Sequence, residues 1–550
     1  MLLANRLQLV CLTLTFTMQY LPAQQLELKL RYQQPVAEGA TRYHQFSRDE
    51  KWQPSATALI ICDMWDSHHC VNAVRREAEI APRVDAFAKE LRGRGATIIH
   101  APSSCMDHYQ NHPARKRAQA IPLATNMPTD IESWCDQIPS EEAAAYPIDQ
   151  AEGGEDDDPA DHAQWAERLK AIGRNPRSPW LAQCSAIEID AQRDFISDSG
   201  PEIWSVLSDK KIANVILVGV HTNMCVLGRP FGLRRLAAAG KNVVLARDLT
   251  DTMIDPNAWP YANHFTGTEL IISHIERYVC PTISSNQILG GDEHRFSSDR
   301  RPRLVMLIAE DEYQTESTLP AFAAKHLSQH FSVSFCFGSE TQRDKIVGLE
   351  SIATADALLI SVRRRPLPAG DLALVRAFAA SGKPVIGIRT ASHAFSLRNN
   401  QPAPGLATWP EFDAEIWGGS YTNHYGNDLR STVQVADSQH PIMTAASITD
   451  NFKPGGSLYK TAPLQAGSHQ LLTGSVTGEP PQPLAWTFIR SDGGRSFYTS
   501  LGHIDDFAQP EFEALLSAGI HWACGQPLHS LEDIKLQNQR YVSGHGRQRR

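Results

Sequence analysis

Apolar positions in this chain gather into short unbroken runs, and these alternate with stretches whose apolar residues recur at helical spacing. Residues 56–65 ("ATALIICDMW"), 96–104 ("ATIIHAPSS"), 214–220 ("NVILVGV") and 242–251 ("NVVLARDLTD") are apolar until they end in polar or acidic residues. Continuous rather than alternating hydrophobicity predicts strands buried on both faces of a parallel sheet. Between them, 82–95 ("PRVDAFAKELRGRG") has helical spacing and a glycine stop, and a second helix is predicted from about Cys225 to Lys241. Strand and helix in this rhythm predict a doubly wound α/β domain over residues 50–285. Residues 24–54 read as a polar, irregular approach segment. A long insertion, 105–183, interrupts the domain and carries the acidic run "EGGEDDDPAD" at 152–161. The run reads as a solvated loop; calcium binding is the other reading, although the spacing fits no EF-hand. Insertions of this length inside compact domains tend to be lids or binding surfaces.

A second series begins after a turn-rich linker at 286–301. Residues 303–311 ("RLVMLIAED"), 355–363 ("ADALLISVR"), 383–395 ("KPVIGIRTASHAF") and 495–503 ("RSFYTSLGH") read as strands. The segments 372–383 and 510–525 read as helices, the latter closing the domain. This places a second α/β domain, again a mostly parallel sheet between helical layers, at 302–527. Residues 528–550 are expected to be a disordered tail. The two halves share a fold class without a detectable repeat.

The chain has 550 residues, too many for one core. A net charge of −9 and the lack of a basic stripe argue against nucleic-acid binding. Residues 1–23 read as a cleavable signal peptide: Arg6 is followed by an apolar stretch and by Ala23 as a small residue for cleavage. That implies an exported protein, and no later run is apolar for long enough to span a membrane. Ten cysteines include Cys11 in the leader, so an odd number remains and at least one thiol is unpaired. No CxxC pair supports a zinc ribbon. Cys62 and Cys280 sit in packing contexts, and Cys135 and Cys184 flank an irregular segment that a disulfide could close.

Sites in open α/β sheets form beyond the carboxyl ends of strands. Asp63, His100 and the stretch His221–Thr–Asn–Met–Cys225 all fall at such ends. A thiol at a helix N-terminus gains thiolate character, and turn amides beside it can hold an oxyanion. Asp63 can take the thiol proton and return it to a leaving group. The competing readings are a packing thiol at Cys225 and a turn residue at Asp63.

"ALIICDMW", "ILVGVHTNMCV" and "GKNVVLARDLTDTM", in that order, resemble the isochorismatase-like cysteine hydrolases, which include nicotinamidases and N-carbamoylsarcosine amidohydrolases. The resemblance implies Cys225 as nucleophile, Asp63 as general base, and a cis peptide at Val220–His221 orienting an oxyanion hole with Cys225. It also implies a catalytic lysine before the cysteine strand. The corresponding stretch, 186–200, offers Glu188, Asp190 and Arg193 but no lysine; Arg193 is the candidate substitute, and His100, Arg193 and Glu188 are candidate pocket residues. Nicotinamidases hold a metal through Asp and His after the first strand, so Asp66, His68 and His69 form a weak candidate zinc set, although the chemistry requires no cofactor. Residues 101–117 supply hydroxyls and cations for a small anionic substrate, or form a solvated face.

"VIGIRTASHAF", "WGGSYTNHYG" and "FYTSLGHIDDF" resemble the ThuA-like family, named from trehalose utilisation. The resemblance implies a class I glutamine-amidotransferase-like fold, whose nucleophile elbow carries a cysteine. No cysteine stands in the "GIRTASHAF" turn, and the adjacency of Ser392 and His393 does not make a dyad. His393, His424 and His503 are candidate pocket residues, and Trp409, Trp417 and Tyr421 are candidate stacking faces for a carbohydrate. Two readings of the whole chain follow. One is a thiol-dependent hydrolase of a small amide or related C–N bond with an accessory domain. The other is a catalytically degenerate protein that binds carbohydrate or peptide.

Overall fold

The computed structural model describes residues 25–548 apart from 152, 399 and 450. The segment 1–23, read as a signal peptide, lies outside the described residues.

Strands β1 (Leu26–Pro35), β2 (Tyr43–Trp52), β3 (Thr57–Cys62), β4 (Thr97–Ala101), β5 (Phe195–Ile196), β6 (Asn214–Val220), β7 (Asn242–Asp251) and β8 (Thr282–Ile283) form one eight-stranded sheet in the order β2-β1-β8-β7-β6-β3-β4-β5. From β8 to β5 every pairing is parallel. Side chains alternate across it: Ala58, Ile60 and Cys62 pack to one side, Leu59 and Ile61 to the other against helix α1 (Val71–Arg94). The chain order reverses between β3 and β6, which creates a crevice at their carboxyl ends. There β6 passes so close to β3 that a Cβ on Gly219, whose φ is +110°, would lie 1.9 Å from the Cys62 carbonyl. Only glycine fits.

Two expectations are corrected here. Residues 24–54 are an antiparallel hairpin on the sheet edge, because Leu26, Leu28 and Leu30 alternate with polar residues and bury one face. The helix expected from Cys225 to Lys241 is broken. A single wide turn, Thr222–Val226, is followed after "GRPFG" by a short helix, Leu233–Ala238. Pro230 cannot continue a helical hydrogen-bond ladder.

The second half is a second eight-stranded sheet. Its spatial order is Ser332–Phe337, Arg303–Ala309, Ala357–Val362, Val385–Ile388, Arg495–Thr499, Gln482–Ile489, Ser468–Ser475, Thr432–Val435. The first five are parallel and the last three antiparallel. The α/β class expected for each half is thus observed. The tail expected to be disordered is a helix, Leu531–Gln548. Ile534 is buried in the second core, Asn538 bonds Glu513, and the Arg540 guanidinium lies 4.3 Å from the Tyr261 ring of the first half. An apolar residue on one face and bonding polar residues beside it anchor the helix to both halves. No helix among the described residues is long and apolar enough to cross a membrane.

Within the acidic run Asp156 and Asp157 turn inward, whereas Glu155, Asp158 and Asp161 stay exposed, so the solvated-loop reading holds only in part. Asp157 accepts from the first two amides of α1, Val71 (2.8 Å) and Asn72 (2.8 Å), where the helix dipole favours an anion. Asp156 pairs with Arg76 (2.8 Å) and His264 (3.1 Å), and both of those also reach Asp251, at 2.7 and 2.8 Å. This four-residue charge cluster is almost wholly buried and ties the insertion to the end of β7. Although burial opposes their charged forms, His264 and Arg76 hold Asp156 and Asp251 well below the usual carboxylate range, and Asp251 and Asp156 hold His264 above the usual imidazole range. The depressed carboxylates contribute stability that is lost as pH falls through their folded values. The raised imidazolium contributes stability that is lost as pH rises through its own. Protection of amides 154–158 against hydrogen exchange, relative to the intrinsic rate at each pH, is therefore expected to be greatest between about pH 5 and 7 and lower on either side. Arg76→Met is expected to lower it about a hundredfold. A flat pH profile with no effect of the substitution would show that the cluster does not hold the insertion.

Candidate functional site

Asp63 follows β3 in a left-handed conformation, φ +48°, and is fully buried. One carboxylate oxygen accepts from the Ser103 amide at 2.7 Å, beyond β4, and the other from Arg229 Nε at 3.0 Å. A non-glycine residue held at positive φ marks a place where the surroundings over-determine the backbone. Across the crevice, β6 ends in a cis peptide at Val220–His221, and the wide turn that follows carries Cys225. The Cys225 thiol meets the Asp63 carboxylate and the backbone amide of His221. Sulfur and carboxylate, distant in sequence, therefore share one crevice.

Arg229 was not singled out in the sequence. It stands one turn beyond the thiol, its amide donating to the Cys225 carbonyl at 3.0 Å, and its guanidinium covers the Trp134 ring at 4.9 Å. It supplies the fixed cation that the lysine-less stretch 186–200 does not. The available signal was Arg229's place one helical turn after a candidate nucleophile, a spacing that puts two side chains on one face.

The expected thiolate character is corrected. Burial pushes the Cys225 thiol up, and the nearby Asp63 carboxylate pushes it further; Arg229 and the His221 amide oppose this only in part. The broken helix explains the difference, since a five-residue turn has little dipole to offer. The resting site is a neutral thiol beside an ion pair.

The remaining candidates of the first half disperse. His100 is buried and bonds Gln183 (2.9 Å) and Asp194 (3.0 Å), with Arg92 on the same aspartate. On β4 it alternates with Ile99 and Ala101, which pack on the cysteine side, so it points away from the crevice. Arg193 and Glu188 are surface residues paired with Asp190 and Lys89. The metal set does not fit an ion. Asp66 accepts from Arg174 (2.7 Å) and from the Leu181 and Ala182 amides, His68 Nδ1 accepts from the Cys70 amide, and His69 pairs with Glu155. Burial and neighbouring histidines also push His68 far below its ordinary range. Among the described residues, Cys70, Asp156 and Asp157 are the one trio with ligand atoms within 4.8 Å, and they serve to cap α1. All nine described cysteines are free, so Cys135 and Cys184 are not bridged.

The insertion roofs the crevice. Trp180 stacks on Trp65 at 4.6 Å, Tyr146 and Gln150 donate to the Asn223 carbonyl, and the Cys135 amide donates to the Gly228 carbonyl. His221 packs edge-on against His68 at 4.8 Å, and burial lowers it to about 4, so it is neutral at physiological pH.

In the second half, His393, His424 and His503 line a single cleft of about 330 Å³. It too opens at the carboxyl ends of parallel strands, with Tyr313, Arg364 and Arg389 contributed by three successive ones. Tyr421 lines it, whereas Trp409 and Trp417 belong to the apolar core.

The chain is thus a fusion of two α/β halves, each with a crevice at its own topological switch point. Residues 304–523 match the family model ThuA, trehalose utilisation. Among solved structures, a ThuA-like protein from Bacteroides uniformis is 14% identical with a TM-score of 0.32, covering 42% of this chain and 95% of that one. A cysteine hydrolase from Pseudomonas syringae pv. phaseolicola is 13% identical with a TM-score of 0.26, covering 43% and 93%. An isochorismatase family protein from Burkholderia thailandensis is 14% identical with a TM-score of 0.23, covering 42% and 94%. None of the curated proteins compared with the chain matches it.

Opposite charges beside one thiol give substitutions of opposite sign. Asp63→Asn removes the anion that raises Cys225 and is expected to speed iodoacetamide alkylation at pH 7.5 about tenfold; Arg229→Gln is expected to slow it about tenfold. Changes in the same direction, followed by mass spectrometry of the Cys225 peptide, would mean that access rather than charge governs the thiol.

Proposed function

We propose that the first half is a cysteine-dependent hydrolase of a small amide or related C–N bond. The observation that carries this reading is the meeting of Cys225 with Asp63 at the switch point of the sheet, with Arg229 against the same carboxylate. A thiol raised by burial need not be ionised beforehand. As sulfur attacks the carbonyl carbon, its proton passes to Asp63 Oδ, and the S–C bond forms while the carbonyl π electrons move to oxygen. Amides of the wide turn would hold that oxyanion. Collapse expels the leaving nitrogen, which takes the proton back from Asp63, and leaves a thioester. Water, deprotonated by the same carboxylate, then releases the acid and restores the thiol.

Arg229 remains charged throughout, since a guanidinium does not exchange protons near neutrality. Its role is to face the Asp63 carboxylate as a fixed positive charge while the proton comes and goes. This division between a fixed cation and a mobile proton needs no metal. The roof of Trp65, Trp180 and the insertion would exclude bulk water from the thioester and limit the substrate to a small molecule.

A binding role is the reading favoured by the raised thiol alone, and one screen separates the two. Amides and ureido compounds are offered to the wild-type chain and to Cys225→Ala. Turnover by the wild type, a mass increase on the Cys225 peptide, and a loss of at least about 10³-fold in Cys225→Ala are expected. Turnover undiminished in Cys225→Ala, or ligand binding without turnover in both proteins, would end the hydrolase reading.

A further inference from the structure

The cleft of the second half has a charge imbalance that the rest of the molecule avoids. Five arginines line it, Arg363, Arg364, Arg389, Arg398 and Arg430, against one lining acid, Glu312. Arg363 takes that acid, and Asp311 as well at 3.6 Å. Among the described residues the other four have no carboxylate within ion-pair distance. Asp413, the buried acid nearest Arg364, is pushed well above the usual carboxylate range by its burial and does not offset them.

Arg389 is the most telling of the four. It occupies the sharp turn after strand Val385–Ile388, in a left-handed conformation with φ +46°, and is almost completely buried. This is the elbow at which the sequence has no cysteine. Its guanidinium lies between the rings of Tyr313 and Tyr459, 4.5 and 4.4 Å from their centroids. Its polar partners are neutral: the carbonyls of Ser457 (3.0 Å) and Ser500 (2.7 Å) and the Tyr313 hydroxyl (3.2 Å). Its Nε is buried without a partner. Asp506 is the buried acid whose charge reaches it, but that carboxylate bonds the amides of Gly455, Gly502 and His503 rather than the guanidinium. A Cβ on Gly456 would come within 2.4 Å of the guanidinium, so the loop over it is shaped to its presence.

Burying a guanidinium with no carboxylate in contact is costly. A cleft that holds one at its floor and three more at its wall and rim is therefore completed by an anion from outside. Guanidinium groups match the oxygens of phosphoryl and carboxylate groups in pairs. The rings of Tyr313, Tyr421 and Tyr459 supply flat faces beside them for the carrier of the charge.

We infer that this cleft binds a small oxyanion-bearing molecule, a phosphoryl or carboxylate group on a compact polar carrier, held by Arg364, Arg398 and Arg430 above Arg389. The field of these arginines is felt inside the cleft: burial and then Arg364, Arg363, Arg398 and Arg389 push His393 down to about 2. An anion seated among them would raise it. The inference is independent of the cysteine site, which lies in the other half.

The full-length chain is titrated calorimetrically at low salt with inorganic phosphate, glucose 6-phosphate, glucuronate and glucose. At least one charged probe is expected to bind at least about tenfold more tightly than glucose, and to weaken as sodium chloride is added. The best of the three tells phosphoryl from carboxylate and a free ion from a carried one. Arg364→Gln and Arg398→Gln, both at accessible positions, are expected to weaken that probe about tenfold each, with unchanged melting temperature. Cys225→Ala is expected to bind it as the wild type does. Binding of glucose as tight as that of the charged probes, no binding by any of the three, or full affinity in both arginine variants would overturn the inference.

Discussion

A buried carboxylate clasped from two sides governs the first half. Asp63 has no solvent contact, so its oxygens depend on what the fold places beside them: an amide from beyond β4 and a guanidinium from the turn after β6. Those two partners come from the strands that flank β3 on either side. The reversal of strand order is thus more than a way to open a crevice. It is what lets one side chain draw donors from two neighbours at once. Cys225 enters the same space from the same turn as Arg229, so thiol and cation are positioned by one piece of backbone, and the close passage at Gly219 sets where that piece begins.

Both sheets were legible in the sequence because buried parallel strands are written as continuous apolar runs. The hairpin at 26–52 was missed although "LELKL" alternates cleanly, since the polar half of an edge strand looks like a loop when read alone. The terminal helix was missed because its composition is polar; Ile534 and several bonding residues hold it, and their partners lie in both halves. Asp63 and Cys225 were legible through their positions at strand ends. His100 shared that position and still proved structural, because the side of the sheet to which a strand-end residue points depends on alternation within the strand. Glu188 and Arg193 failed for a related reason: a loop that stands where a strand is expected carries no facing at all.

The two halves answer the same topological opportunity with different chemistry. In the first, the residue at positive φ is an acid and its neighbour across the crevice is a thiol. In the second, the residue at positive φ is an arginine clasped by two tyrosines. One elbow sets a thiol beside an acid, the other sets a guanidinium between two rings. The acidic insertion extends the same contrast, since Asp156 and Asp157 turn inward to α1, Arg76 and His264.

The last helix, Leu531–Gln548, lies beyond the end of the ThuA match at residue 523, yet seats Ile534 in the second core and Arg540 on Tyr261 of the first. A fragment cut at the family boundary would lose the brace that the halves hold in common. The helix therefore bears on both halves, and its removal would take contacts from each.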